Sequence, residues 1–295
     1  MDESTADWPS PTAPNNKRSF LTFLARAQRT SGLVFSSFLL VHAIPPTIVA
    51  ITGKEHSGNA FMLVSRPHTL NPFSTEQTCL TLPISYTLVQ LLRVAYQHPV
   101  IEPVLIYLPL SIHILASAVR RVMYPRSHPA KLNSHSITGF LLTPLALLHI
   151  LVHRIVPASA KPPISSLSPS ELDLSYVGHA VATWPYVSTV TYGALVALGV
   201  WHAVGGLAIV SRRSGWAKAK PVTVDAAEEE ESGPVVVKAT KRASSLVSWR
   251  AGLTSLATAV TGVALFRLTQ DVFVTKAMAG RIEYVHRRVA GLIYR

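Results

Sequence analysis

The sequence predicts an all-α polytopic membrane protein, built as a duplicated two-helix hairpin of four core transmembrane helices plus a fifth C-terminal helix. The prediction rests on an apolar composition, on long runs without charged residues, and on an internal repeat. Of the 295 residues, 48% are hydrophobic and only 14% are charged, and the mean hydropathy is +0.31. Such a chain is too apolar for one or two ordinary soluble domains, so lipid is its expected solvent.

Five apolar runs are candidates for membrane-spanning helices. A hydrocarbon core of roughly 30 Å requires about 20 mainly apolar residues in a helix. Four runs contain no Asp, Glu, Lys or Arg, and they cover residues 31–52, 103–119, 136–152 and 187–210. The fifth run, residues 251–266, lies between Arg250 and Arg267. We predict that it spans with both arginines extended toward the membrane surfaces, and a shallow position is the alternative.

The first and third runs are an internal repeat. Aligned without gaps, the Ser-Gly step at 31–32 falls over the Thr-Gly step at 138–139, and ten residues later His42 falls over His149. The second helix of each hairpin carries a histidine near its middle and then an arginine pair, His113 before 120–121 and His202 before 212–213. The four core helices therefore look like two copies of one hairpin.

Four histidines are the candidate cofactor and metal ligands, one in each core helix: His42, His113, His149 and His202. All four are expected near mid-membrane, and an up-and-down bundle would pair His42 with His149 and His113 with His202. Two facing imidazoles at matched depth are what a six-coordinate b-type haem iron requires. In the alternative interpretation, each histidine only hydrogen-bonds a neighbouring helix.

The remaining histidines have simpler expected environments. His153 is expected at the membrane interface beside Arg154. The others fall in connections or tails, where solvent exposure explains them: His56, His68, His98, His128, His135, His179 and His286. Small residues next to the candidate ligands, among them Gly205 and Gly206, leave room for a porphyrin or for close helix contact.

Four segments are predicted along the chain. Residues 1–28 form a disordered Pro-rich arm, and residues 29–211 form the duplicated transmembrane domain. Residues 212–246, with an acidic run at 228–231, form a disordered charged linker. Residues 247–295 hold the fifth helix and a basic amphipathic tail. Within the first long connection, residues 85–96 have helical spacing but are too short to cross, so an interfacial helix is expected.

The distribution of basic residues predicts the orientation. Lys and Arg number four before the first apolar run, four in the second connection and seven in the fourth, against three in the first connection and two in the third. By the positive-inside rule, the N-terminus, the second connection and the fourth connection are cytosolic. The basic C-terminus departs from this pattern if the fifth helix crosses, and its apolar stripe suggests a helix lying on the membrane surface.

Several function classes are excluded or disfavoured by these features. The net charge of +12 and the isoelectric point near 10.1 arise from residues at the ends of apolar runs, so nucleic-acid binding is not expected. The single cysteine, Cys79, provides no disulfide or CxxC motif. No nucleophile-base or carboxylate pair suggests an enzyme. A transporter has little support, because no Asp or Glu lies inside a span.

Parts of the chain resemble known membrane proteins. The strings RTSGLVFSSFLLVHA, YQHPVIEPVLIYLPLSIHILASAVRR and SITGFLLTPLALLHILVHR are similar to the haem-anchoring cytochrome b membrane subunits of succinate dehydrogenase and fumarate reductase. The duplicated pattern behind a polar arm resembles the fungal Mdm-complementing proteins of the mitochondrial outer membrane, over residues 29–275. That family implies an adaptor in lipid homeostasis that recruits the bridge-like lipid-transfer protein Vps thirteen through a Pro-x-Pro peptide.

The resemblance implies specific roles for the arm and for the histidines. Pro9 and Pro11 would form the partner-binding peptide of an adaptor at a membrane contact site. By analogy with the cytochrome subunits, the four core histidines would be axial ligands of haem b. The leading expectation is a non-enzymatic adaptor of the mitochondrial outer membrane with a cytosolic N-terminus. The alternative is a b-type haem-binding anchor subunit of an electron-transfer complex.

Overall fold

The computed structural model describes residues 15–52, 97–123, 134–168, 171–213, 236–270, 274–291 and 294. Within these ranges all regular secondary structure is helical, which confirms the all-α fold class. Pro9, Pro11, the helix expected at 85–96 and the acidic run at 228–231 lie outside them.

The helices are numbered in chain order: α1 (Asn15–His42), α2 (Ile44–Thr52), α3 (Leu108–Met123), α4 (Ser134–Ile150), α5 (Leu174–Thr183), α6 (Pro185–Arg213), α7 (Val236–Thr269) and α8 (Lys276–Ala290). A π-helical stretch, Pro103–Tyr107, precedes α3, and another, Leu151–Ile155, continues α4. α1 begins inside the arm predicted at 1–28, and α7 begins inside the linker predicted at 212–246. Both start shortly after a proline, Pro14 or Pro234, which suits a helix N-terminus.

Five helical segments are long and apolar enough to cross a membrane, and they match the five predicted runs. They are Ser19–Ile48, Pro103–Met123, Ser134–Ile155, Pro185–Ser211 and Trp249–Thr269. Large apolar side chains point outward from them, since Leu40 is 75% exposed and Phe140 is 80% exposed. Exposed apolar surface of this extent is expected where side chains meet lipid.

The chain divides into two compact units. The first comprises residues 1–43 and 91–131, and the second comprises residues 44–90 and 132–295. In the first unit α1 packs antiparallel against α3, since Gln28 contacts Arg120 and Gly32 lies against His113. This unit is the first predicted hairpin.

The second unit contains the second hairpin and the fifth span. α4 and α6 are antiparallel, because His135 contacts His202 at one end and His153 contacts Tyr192 at the other. Near the middle of α7, Arg250 contacts Trp201 in the C-terminal half of α6. The last turns of α7 pack near α5, which immediately precedes α6. The fifth helix therefore runs back along the length of α6, as expected for a span.

Residues 156–168 and 171–183, together with α8, form a cap over the ends of α4 and α6. The side chain of Asp173 caps α5 by accepting hydrogen bonds from the backbone N–H groups of Ser175 and Tyr176. Ile282 and Val285 of α8 are 0% exposed and share a core cluster with Val152. The apolar stripe of the C-terminal tail is thus buried in the protein, whereas the sequence suggested that it lies on lipid.

Candidate functional site: the histidines of the two hairpins

In the first unit, His113 joins α3 to α1. Its Nδ1 donates a hydrogen bond to the backbone oxygen of Gln28, at 3.0 Å. The same ring edge lies against Gly32, where an added Cβ would come within 2.9 Å of Nδ1. Arg120 of α3 donates to the side-chain oxygen of Gln28, at 2.6 Å. A side chain at position 32 would therefore force the imidazole or the helix to move.

In the second unit, His202 makes the matching contact from α6 to α4. Its Nδ1 donates to the backbone oxygen of His135 at 3.0 Å, and Nδ1 of His135 donates to the backbone oxygen of His202 at 3.1 Å. The two imidazoles are stacked, with centroids 4.0 Å apart and planes inclined by 9°. A Cβ at Gly139 would lie 2.7 Å from Cε1 of His202.

The two contacts are copies of one another. The alignment that places His42 over His149 also places Gln28 over His135 and Gly32 over Gly139. In both hairpins, a histidine of the second helix donates to the backbone of the first and rests on its glycine. The Ser/Thr-Gly step that marks the repeat in sequence is thus a notch for an imidazole of the partner helix.

Arg250 adds a cation beside the stacked pair. Its guanidinium donates to the backbone oxygen of Trp201 at 3.1 Å and lies 4.7 Å from the centre of the Trp201 ring. A Cβ added at Gly205 would clash with this guanidinium, so a side chain there would require Arg250 to move, and Gly206 faces the ring of His135. Of the two predicted uses for these small residues, the structure shows close helix contact.

Within each hairpin, the two candidate ligands lie at different levels along the helices. His42 stacks on Phe38 of its own helix, with ring centroids 5.2 Å apart. The ring centroids of His149 and His153 are 4.5 Å apart. His42 and His149 are each ten residues beyond the notch glycine, which is roughly 15 Å along an α-helix. Each hairpin therefore separates its two candidate ligands along the helix axis, and the expectation that all four lie near mid-membrane stays a prediction.

Haem ligation requires two imidazole nitrogens that face one iron from opposite sides. Within either unit, the described contacts provide no such arrangement: the rings of His135 and His202 are stacked face to face, and His42 and His113 contact different partners. Among the residues that the structure describes, no group of three or more His, Cys, Asp or Glu is placed to hold a metal. Pairing His42 with His149, or His113 with His202, would need one ligand from each unit, and both pairings stay predictions.

Two histidines assigned to connections or tails have other environments. His135 lies in the first turn of α4 and stacks on His202. In the sequence, the alignment of Gln28 with His135 was the signal that could have placed it inside the repeat. His286 is 1% exposed, so its assignment to a solvent-exposed tail is wrong. It lies on the buried face of α8 between the rings of Tyr176, Trp184 and Tyr294, at centroid distances of 5.5, 5.4 and 5.1 Å. Burial lowers the pKa of His286 to about 4, so the ring is neutral at pH 7.

A polar contact links the cap to the spans. His153 lies 2.8 Å from the hydroxyl of Tyr192 through its Nε2, so the ring predicted at the interface bridges α4 and α6. The hydroxyl of Tyr176 donates to the backbone oxygen of Val152 at 2.9 Å. Burial raises the pKa of Tyr176, so this phenol remains a donor at all physiological pH values.

Comparison with known proteins bears on the second unit. Residues 144–271 match the family described as MDM10-complementing protein 1, transmembrane domain. No curated protein and no solved structure matches the chain significantly. The likeness to cytochrome b membrane subunits therefore stays a prediction. The matched stretch includes the end of α4 and all of α5, α6 and α7, so this part of the chain is similar to the transmembrane domain of the MDM10-complementing family.

Proposed function

We propose that the protein is a non-enzymatic adaptor of the mitochondrial outer membrane, which recruits a bridge-like lipid-transfer protein of the Vps thirteen type through its N-terminal arm. The observation that carries the proposal is the match of residues 144–271 to the transmembrane domain of the MDM10-complementing family. In this function the helical bundle is an anchor, and the arm is the part that binds the partner.

The first helix supports this division of labour. α1 is continuous from Asn15 into the candidate span Ser19–Ile48, so the arm joins the span without an intervening loop. Pro11 precedes Asn15 by four residues, which extend over at most roughly 14 Å. A partner that binds Pro9 and Pro11 would therefore be held close to the membrane surface, as a lipid-transfer bridge requires.

The histidines support an anchor rather than a catalyst. His113 and His202 use Nδ1 to join helices within their own hairpins, and His153 bridges α4 and α6. Such interhelical hydrogen bonds stabilise a membrane bundle by about 1 kcal/mol each. The adaptor function needs no haem. A b-type cytochrome is the competing proposal, and the absorption spectrum of the purified, dithionite-reduced protein tests it.

The arm is tested by substitution in the full-length protein. Pro9→Ala together with Pro11→Ala should weaken recruitment of the lipid-transfer protein to mitochondria, since a pre-extended proline peptide loses less conformational entropy on binding. Membrane insertion should be unchanged. Pro221→Ala with Pro234→Ala is the matched control, because it removes two prolines from the linker. Normal recruitment by the arm variant would contradict the proposal, and loss in the linker variant would move the binding site there.

A second experiment tests whether the arm is sufficient. Residues 1–28 fused to an unrelated outer-membrane anchor should restore partner recruitment in cells that lack the protein. The same fusion with Pro9→Ala and Pro11→Ala should not. Equal recruitment by both fusions would show that the proline pair is not the binding element.

A further inference from the structure

We propose that the outward face of α8 binds the head groups of anionic phospholipids in the leaflet on its own side of the membrane. The surface consists of Lys276, Arg287 and Arg288, and all three are exposed. The inference goes beyond the adaptor function and does not depend on it, because the arm and α8 are separate parts of the chain.

The position of α8 places this surface at the level of the head groups. Ile282 and Val285 share a core cluster with Val152, which is near the end of the candidate span Ser134–Ile155. Beyond α8, Tyr294 belongs to a second cluster with Val187, the third residue of α6. The helix therefore lies against the ends of two spans, where they leave the hydrocarbon.

The burial of α8 separates its two faces. Ile282 and Val285 are 0% exposed and His286 is 1% exposed, so the centre of the apolar face is covered by the protein. An amphipathic helix that binds membranes by itself would instead insert this face into lipid. In α8 the contact that remains for lipid is electrostatic, through the opposite face.

The charges of α8 leave that face positive. Glu171 pairs with Arg281 at 2.9 Å, and Arg281 also donates to the backbone oxygen of Ile164 at 2.7 Å, so this arginine holds the cap together. Glu283 lies 3.5 Å from Arg287, whose side chain is 61% exposed, and an ion pair this exposed contributes little. Arg288 donates to the neutral hydroxyl of Tyr284, and no ion pair compensates its charge among the residues that the structure describes.

Membrane orientation does not explain these charges. α8 packs on the third connection, which has the fewest Lys and Arg residues of the chain's connections. The positive-inside rule predicts few basic residues on this side. Basic residues that are kept on one face of a docked helix, at the level of the head groups, fit the negative surface of an anionic leaflet.

The test uses the full-length protein in nanodiscs of phosphatidylcholine, with and without a minority of phosphatidic acid. Hydrogen-deuterium exchange of residues 276–290 reports local opening of α8. Phosphatidic acid should slow this exchange severalfold in the wild-type protein. Arg287→Gln with Arg288→Gln should remove most of the effect, since each basic residue near an anionic surface contributes roughly fivefold in binding. Arg287→Lys with Arg288→Lys keeps the charge and should retain it.

A matched control separates this surface from the general charge of the protein. Lys17→Gln with Arg121→Gln removes two exposed charges from the first unit and should leave the lipid effect on residues 276–290 intact. Two results would overturn the proposal: equal exchange of α8 in both lipid compositions, or an undiminished lipid effect in the double Gln variant. Neither result would bear on recruitment through Pro9 and Pro11.

Discussion

The imidazoles of His135 and His202 lie face to face across α4 and α6, and each donates from Nδ1 to the backbone oxygen of the other residue. A carbonyl oxygen can only accept, so both rings carry their proton on Nδ1. The pair therefore satisfies the Nδ1 donors of two imidazoles inside a candidate membrane-spanning region while it joins two helices. In the first hairpin, Gln28 replaces His135 and leaves one half of this arrangement.

The notch glycine predicts a specific loss of stability. Gly139→Ala would place a methyl group 2.7 Å from Cε1 of His202, so the ring or the helix must move. We expect a loss of about 1 to 3 kcal/mol, as for overpacking elsewhere. Thermal unfolding of the detergent-solubilised protein would show it as a lower Tm.

Two further variants isolate the contact. Gly193→Ala lies in the same hairpin, with nothing within 4 Å of the added methyl group, and should be neutral or slightly stabilising. Adding Gly139→Ala to His202→Ala should cost less than the single substitution does in the wild type, because the ring is already gone. If the stability losses of Gly139→Ala and His202→Ala simply added, the contact between Gly139 and the His202 ring would be contradicted.

Haem binding predicts a spectral pairing. In a protein preparation that contains haem, His42→Ala and His149→Ala should abolish the same component of the dithionite-reduced spectrum, because either loss breaks one six-coordinate site. Loss of different components would refute the pairing. A wild-type spectrum without an alpha band would remove the cytochrome alternative, and His202→Ala should still lower the Tm through the lost interhelical hydrogen bond.

Burial of His286 predicts that the cap weakens in acid. The folded-state pKa is about 4, below the ordinary value of 6.5, so the unfolded state binds more protons between these values. Stability is complete above pH 6.5 and falls as the pH drops toward 4. At pH 5 the loss is about 2 kcal/mol, at 1.36 kcal/mol for each pH unit.

The measurement is hydrogen-deuterium exchange of residues 276–290 at pH 7 and pH 5, corrected for the intrinsic pH dependence of exchange. His286→Phe keeps an aromatic ring beside Tyr176 and Trp184 and should remove the extra opening at pH 5. His98→Gln, in the first unit, is the control and should leave it unchanged. Acid sensitivity that survives His286→Phe would assign the effect to another group.

The features visible in the sequence are the local ones. Runs such as residues 187–210 predict spans because hydrophobic length alone decides membrane insertion. The Ser/Thr-Gly repeat identified α1 and α4 as the equivalent helices of the two hairpins. Its meaning was not visible, because the imidazole that occupies the notch at Gly139 comes from position 202, in another helix. The burial of His286 was missed for a related reason: an amphipathic stripe indicates a buried face but does not show whether lipid or protein covers it.

The last prediction concerns topology, and it follows from the packing of α8 on the third connection. Ala160 and Ala277 are exposed residues of the cap, so both should lie on one side of the membrane. The positive-inside pattern places the linker near Ser232 on the other, cytosolic side. With Cys79→Ser as the background, a large polyethylene-glycol maleimide added to intact mitochondria should label Ser232→Cys but neither Ala160→Cys nor Ala277→Cys. All three should react once the outer membrane is ruptured.

Other labelling patterns would contradict this topology. Labelling of Ala277→Cys without Ala160→Cys would mean that α7 does not cross. Labelling of both cap positions and not of the linker would mean that the protein is inverted. Protection of all three until rupture would place the protein in the inner membrane, and would count against an adaptor that meets its partner in the cytosol.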